Sequence, residues 1–133
     1  MTKEQIVESM IIKAESDAQT AVELFKIGRN DWCLFIWHLA IEKILKALIL
    51  TEGEQIEYTH KLLGLARRTS IKLSLQQEEY LREITTYNIE ARYDDYKLSF
   101  YYKANKSYTK KWNLICSDMY KLFKNRLNEK KTK

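Results

Sequence analysis

Along the first part of the chain, apolar residues return at intervals of three and four: Ile6, Met10, Ala14, Ala18, Ala21 and Phe25. That spacing draws one stripe along a helix, and the limits of the helix are written beside it. Thr2 with Gln5 three residues later makes a capping box at the start, and Gly28 stands where a helix from Lys3 to about Ile27 has to stop. A second helix is expected to begin after Asn30-Asp31 and to continue to about Thr51. Its apolar positions, Trp32, Phe35, Ile36, Leu39, Ala40, Ile44, Ala47 and Leu48, cover most of its circumference. A helix so apolar belongs at the centre of a bundle.

Glu52 to Thr59 reads as a loop around Gly53, after which His60 opens a short helix through Leu62, Leu63, Leu65 and Ala66. Ser74 and Gln77 form a second capping box, ahead of a helix carrying Leu81, Ile84, Tyr87, Ile89 and Ala91. From Arg92 to about Lys106 the period lapses, and the segment reads as a connection dense in aromatic and basic residues: Tyr93, Tyr96, Lys97, Phe100, Tyr101, Tyr102 and Lys103. Connections of that length in a small domain are usually functional or mobile. The last helix is expected from Ser107, with Tyr108, Trp112, Ile115, Met119, Leu122 and Phe123 on one face. The fold class that follows is all-α: an antiparallel bundle of four to five helices forming one domain over residues 1–133.

Composition sharpens this picture. The chain has no Pro and three Gly, so it is poor in the residues that punctuate sheets and turns. No run of about twenty uncharged apolar residues occurs, and the N-terminus lacks a basic region feeding an apolar stretch, which points to a cytoplasmic protein without a membrane span. Cys33 and Cys116 lie far apart in helical segments, a placement that suits buried, reduced thiols better than a disulfide framework or a metal knuckle. The net charge of +5 permits nucleic acid or an acidic partner. Much of the excess sits in Lys121, Lys124, Arg126, Lys130, Lys131 and Lys133, where it also complements the dipole of the last helix.

The candidate chemistry centres on the second helix, where Ala40-Ile41-Glu42-Lys43-Ile44-Leu45-Lys46-Ala47 sets three charges on an otherwise apolar element. Glu42 and Lys46 are four apart and can pair, while Lys43 can reach an acid from another helix, for which Asp17 is the obvious candidate. Such a cluster is either a structural ion-pair network or a polar pocket for a phosphate or nucleotide. The two histidines, His38 and His60, read first as structural groups, one packed in the core and one fixing the entry to a helix. Among familiar motifs, no Ser-His-Asp set, paired metal ligands or Gly-rich phosphate loop appears, so no metal and no cofactor are expected. Arg92 ends the fourth helix at the edge of the aromatic segment, where its guanidinium can present a fork to phosphate or carboxylate.

Taken in order, these residues resemble the HEPN family of helical bundles. Asp17 with Ala21, Gly28, and the string Ala40 to Ala47 resemble its first two helices; Thr59-His60-Lys61-Leu62 with Leu65 resembles its Thr-His-x-Leu loop; Tyr87 and Ala91-Arg92-Tyr93 resemble the end of its fourth helix. The resemblance implies a homodimer and a partner of the minimal nucleotidyltransferase class, as in a toxin and antitoxin pair. It also implies a nucleotide- or phosphate-binding role for Lys43, Lys46, Arg92 and Tyr93, with Asp17, Glu42 and His60 in support. In some members the partner nucleotidylates a tyrosine, for which Tyr93, Tyr96, Tyr101 and Tyr102 are the candidates. Other members are metal-independent ribonucleases with an Arg followed four to six residues later by His. Here Tyr96, Lys97 and Leu98 occupy those places, and Asp94 replaces the Pro frequent after Ala-Arg-Tyr. The expected function is therefore that of a nucleotide- or partner-binding component without strong catalysis. The alternatives are an RNA-cleaving toxin using Arg92 and a purely structural interaction module.

Overall fold

A computed structural model describes residues 1–131 and contains six helices: α1 (Lys3–Lys26), α2 (Asn30–Thr51), α3 (Leu62–Ala66), α4 (Leu75–Glu90), α5 (Asp94–Lys103) and α6 (Lys106–Lys131). Lys133, counted in the basic C-terminal run, lies outside the described residues. Both capping boxes form: Thr2 and Ser74 accept hydrogen bonds from the backbone N–H groups of Gln5 and Gln77, whose side chains bond back to the cap. Both long N-terminal helices end in the same way. Gly28 and Gly53 take φ of 79° and 85°, a left-handed conformation that costs a Cβ-free residue little. Each lets the following residue close the helix, Arg29 N–H to Leu24 O and Glu54 N–H to Ile49 O.

The core is organised around α2, which buries residues on every side, from Cys33, Leu34 and Trp37 through Ile41, Ile44 and Leu45 to Leu48 and Ile49. Helix α1 lies antiparallel to it and presents Ala14, Ala18 and Ala21, small side chains that let the two backbones approach. Helix α6 runs parallel to α2: Asn113 Oδ1 accepts from Trp37 Nε1 at 2.8 Å near one end, and Lys130 pairs with Glu52 at the other. Helix α4 returns antiparallel to α6, with Tyr80 packed edge-on against Trp112 and Tyr87 against Tyr108. The buried stripe of α1 is displaced by one position at its start, where Val7 is buried and Ile6 exposed. Trp32, expected in the core, is also exposed, on the side of α2 opposite to the one that buries Cys33 and Leu34 in the next positions.

Two other expectations are corrected. His60 does not begin a helix; α3 starts two residues later, and its first free N–H, that of Leu62, is satisfied across the bundle by Thr85 Oγ1 at 3.1 Å. The aromatic stretch after Arg92 is not a loop, for α5 occupies most of it. Its apolar residues sit both inward (Phe100, buried against Tyr87 with ring centroids 5.6 Å apart) and outward (Leu98, Tyr101, Tyr102). Apolar groups on both sides cancel the one-sided period by which a helix is recognised. Asp94 and Asp95 in its first turn and Lys103 in its last complement the helix dipole. Phe100 is the anchor of α5. Phe100→Ala should lower stability by about 3 kcal/mol and raise amide exchange selectively over residues 94–103, as followed by hydrogen-exchange mass spectrometry.

Candidate functional site

Glu42 is the charged residue that α2 carries into the core, and three groups converge on it. Lys46 donates to its Oε2 at 3.0 Å from the next turn, and His60 Nδ1 donates to its Oε1 at 2.9 Å from the loop before α3. His38 Nε2 lies 3.9 Å from the same Oε1 and donates at 3.2 Å to the backbone carbonyl of His60. Burial works against charge on Glu42, but the hydrogen bonds from His60 and Lys46 outweigh it and hold the carboxyl below its usual range. Burial is also the main influence on His38 and pushes its pKa down. The bond to the His60 carbonyl then fixes the neutral Nε2–H tautomer and leaves Nδ1 without a partner among the described residues. The two histidines thus tie the loop ahead of α3 to the middle of α2.

On the adjoining ridge of α2, Lys43 pairs with Asp17, the acid expected for it. The pair sits on the α1–α2 seam, with the side chains 33% and 22% exposed, rather than deep inside. The three lysines Lys13, Lys43 and Lys46, with Glu42, Ile6 and Met10, line a cleft of about 340 Å³ between the helices. Two of the three positive charges there already face carboxylates.

Arg92 lies elsewhere. It follows α4 at the end of the bundle where α2 begins, more than three turns of α2 from Lys43, about 20 Å along the axis. Among the described residues, no hydrogen bond or ion pair joins it to Lys43, Lys46 or either histidine. Its exposed guanidinium makes one long hydrogen bond, 3.4 Å to Oδ1 of the buried Asn88, so most of its fork is open to solvent. Exposed Tyr93 and Tyr96 flank it. Of the predicted residues, the structure brings together Asp17 with Lys43, and Glu42 with Lys46 and His60; it sets Arg92 and Tyr93 in a separate place.

A further polar network escaped the sequence reading. The phenols of Tyr87 and Tyr108 are 2.7 Å apart, and Tyr108 donates to Glu83. Lys103 of α5 pairs with Glu83 at 3.0 Å and Glu90 at 3.4 Å while its ammonium lies over both rings. Burial, with the carboxylate of Glu83 nearby, drives both phenol pKa values far up, so these tyrosines are structural donors. The available signal was Glu83, Tyr87 and Glu90 at i, i+4 and i+7 on one face of α4. Their partners on α5 and α6 could not be named without the fold. Cys33 and Cys116 are free and buried; burial raises the Cys33 thiol to about 12.

An antiparallel helical bundle with an exposed Arg-Tyr corner after its fourth helix and an internal Glu-His-Lys cluster defines a class of small α-helical domain. The HEPN domain model matches residues 7–126, and the chain belongs to the HEPN family. The crystal structure of TT1696 from Thermus thermophilus has the same fold, with a TM-score of 0.76 at 18% identity over 93% of this chain and 97% of that one. No curated protein matches the sequence. Among the described residues no helix is long and apolar enough to cross a membrane.

The cluster makes stability pH-dependent with a definite sign. An unfolded His38 takes up a proton below about pH 6.5 that the folded site disfavours, so stability falls as pH drops through that value. Glu42, whose folded pKa is depressed, contributes stability above about pH 4.3 that is lost as pH falls through its folded value. Melting temperature measured from pH 7.5 to 3.5 should decline in two stages, with His38→Gln removing the upper and Glu42→Gln reducing the lower. At pH 7.5, Lys43→Ala should cost about 1 kcal/mol, as befits a part-exposed pair, and Arg92→Ala less than about 0.5 kcal/mol.

Proposed function

We propose that this protein is a homodimeric, non-catalytic or weakly catalytic HEPN component of a two-protein toxin and antitoxin-like unit whose other member is a minimal cytoplasmic nucleotidyltransferase. The contact between them is assigned to the Arg92–Tyr93 corner. The observation that carries this reading is the contrast in commitment of the positive charges. Lys43 and Lys46 are turned toward Asp17 and Glu42, whereas Arg92 has one long bond and an open fork. An uncommitted guanidinium is the better receiver of a phosphate or a partner's carboxylate. We therefore assign the anion-binding role to Arg92 with Tyr93, and a structural role to Lys43, Lys46, Asp17, Glu42 and His60.

The same corner argues against vigorous RNA cleavage. Metal-independent cleavage of RNA needs a group to take the proton from the 2′-hydroxyl and another to stabilise charge on phosphate. Arg92 can do the second. The residues four to six places on are Tyr96, Lys97 and Leu98, and both histidines are engaged in the Glu42 cluster far from the corner.

The phenols of Tyr93 and Tyr96 are exposed and can enter another enzyme's site. In the transfer we envisage, the phenolic oxygen attacks the α-phosphorus of a nucleoside triphosphate held by the partner, pyrophosphate leaves, and the phenolic proton passes to a base of the partner. The attached anion would then lie beside Arg92 and block access to it.

Co-expression with the adjacent gene, followed by co-purification and intact-mass measurement, tests both parts. The expected result is a stable complex lost with Arg92→Ala, and a mass increase of one nucleotidyl group lost with Tyr93→Phe and Tyr96→Phe combined. Failure to co-purify overturns the pairing. RNA cleavage by the purified protein without metal, abolished by Arg92→Ala, would establish the ribonuclease alternative.

A further inference from the structure

Helix α5 is covered on one side and bare on the other. Phe100 and Lys103 fasten its inner side to α4, and the Lys103 ammonium also lies over the Tyr108 ring of α6. At 100° per residue its outer side carries Asp94, Asp95, Leu98, Tyr101 and Tyr102. Leu98, Tyr101 and Tyr102 are 65%, 61% and 69% exposed, an i, i+3, i+4 stripe of the kind a helix ordinarily buries. Tyr101 and Tyr102 also wall a cavity of about 240 Å³ against the α1–α2 turn, at Gly28, Asn30 and Asp31. The stripe therefore borders a recess that can accept a side chain.

The charges around this stripe are unequal along its length. At its start stands Asp95, whose carboxylate has no partner among the described residues, beside Asp94, held only by an exposed pair with Lys97 at 3.2 Å. Beyond its end stand Lys106, and Arg29 between two residues of the recess; neither side chain has a partner among the described residues, and Asp31 nearby accepts from the backbone N–H of Trp32. Acids at the start of α5, an apolar stripe along it, and bases beyond its end on the α1–α2 turn and at the first residue of α6 make this surface self-complementary when a second copy lies antiparallel across a two-fold axis, as an isologous interface requires.

We infer that the outer face of α5 is the seam of a homodimer in which two α5 helices pack antiparallel. The register that sets Leu98 of one copy against Tyr102 of the other centres the axis near Phe100. It also carries Asp94 and Asp95 to the end where the other copy presents Lys106 and Arg29. The apolar middle supplies affinity, and the charged ends fix direction and register. Tyr101 and Tyr102 are thereby buried, while the Arg92–Tyr93 corner stays outside the seam for another partner. This inference rests on the homodimer of the proposed function and specifies its surface.

Sedimentation velocity on the full chain over a range of concentrations, with circular dichroism to check folding, decides it. Wild type should be a dimer, and Leu98→Asp should raise its dissociation constant by about 100-fold with helix content unchanged. Asp95→Lys and Lys106→Glu should each raise it by about 10-fold, and the double reversal should return it to within about threefold of wild type, a rescue that damage to folding cannot mimic. A dimer indifferent to all four changes overturns the seam and leaves the homodimer standing on another surface. A monomeric wild type overturns both, as does wild type that associates through this stripe only with the nucleotidyltransferase.

Discussion

The structure depends on one demand: α2 is apolar nearly all round and has to be wrapped. A single amphipathic neighbour covers one stripe, so α1, α4 and α6 are all needed, with α3 and the inner side of α5 closing what remains. The wrapping is close because α1 offers alanines where it meets α2. Having been wrapped, α2 cannot leave Glu42 unaccompanied, since an isolated buried carboxylate is costly. Lys46, His60 and the neighbouring His38 follow from that requirement, and with them the path of the loop between α2 and α3.

Polar contacts along the edges of the wrapping select its register more than they stabilise it. Glu15 of α1 accepts from Tyr120 at 2.8 Å and pairs with Lys124 of α6, and Glu8 pairs with Lys131 at 3.2 Å farther along the same seam. Burial opposes charge on Glu15, yet the bonds from Lys124 and Tyr120 prevail and lower its pKa. Each exposed pair contributes little by itself. Spaced along the two helices, they admit one alignment of α1 against α6 and penalise its neighbours.

The same distinction between committed and uncommitted charge separates the two ends of the molecule. In the α1–α2 cluster, Lys43 and Lys46 lie against carboxylates, and an anion arriving at either would have to displace an internal partner. At the opposite end Arg92, Arg29 and Lys106 face solvent, set among tyrosines that α5 leaves uncovered. Charge free to find a new partner, next to apolar surface free to be buried, is the physical basis of the interface proposed at that end.

Much of this was legible in the chain itself. The helical periods, two capping boxes and two helix-stopping glycines are local, and they determined α1, α2, α4 and α6 to within a residue or two. The Asp17–Lys43 and Glu42–Lys46 pairs were legible because helical geometry restricts what a charge on an apolar helix can reach. Helix α5 was not, because apolar residues on both its sides erase the period, and its inner side has meaning only against Tyr87 and Tyr108. Nor could the chain reveal that His38 and His60 meet at Glu42, that Lys103 bridges Glu83 and Glu90, or that Arg92 lies far from Lys43. Those are relations between segments distant in sequence, and only the packing of helices around α2 decides which of them come together.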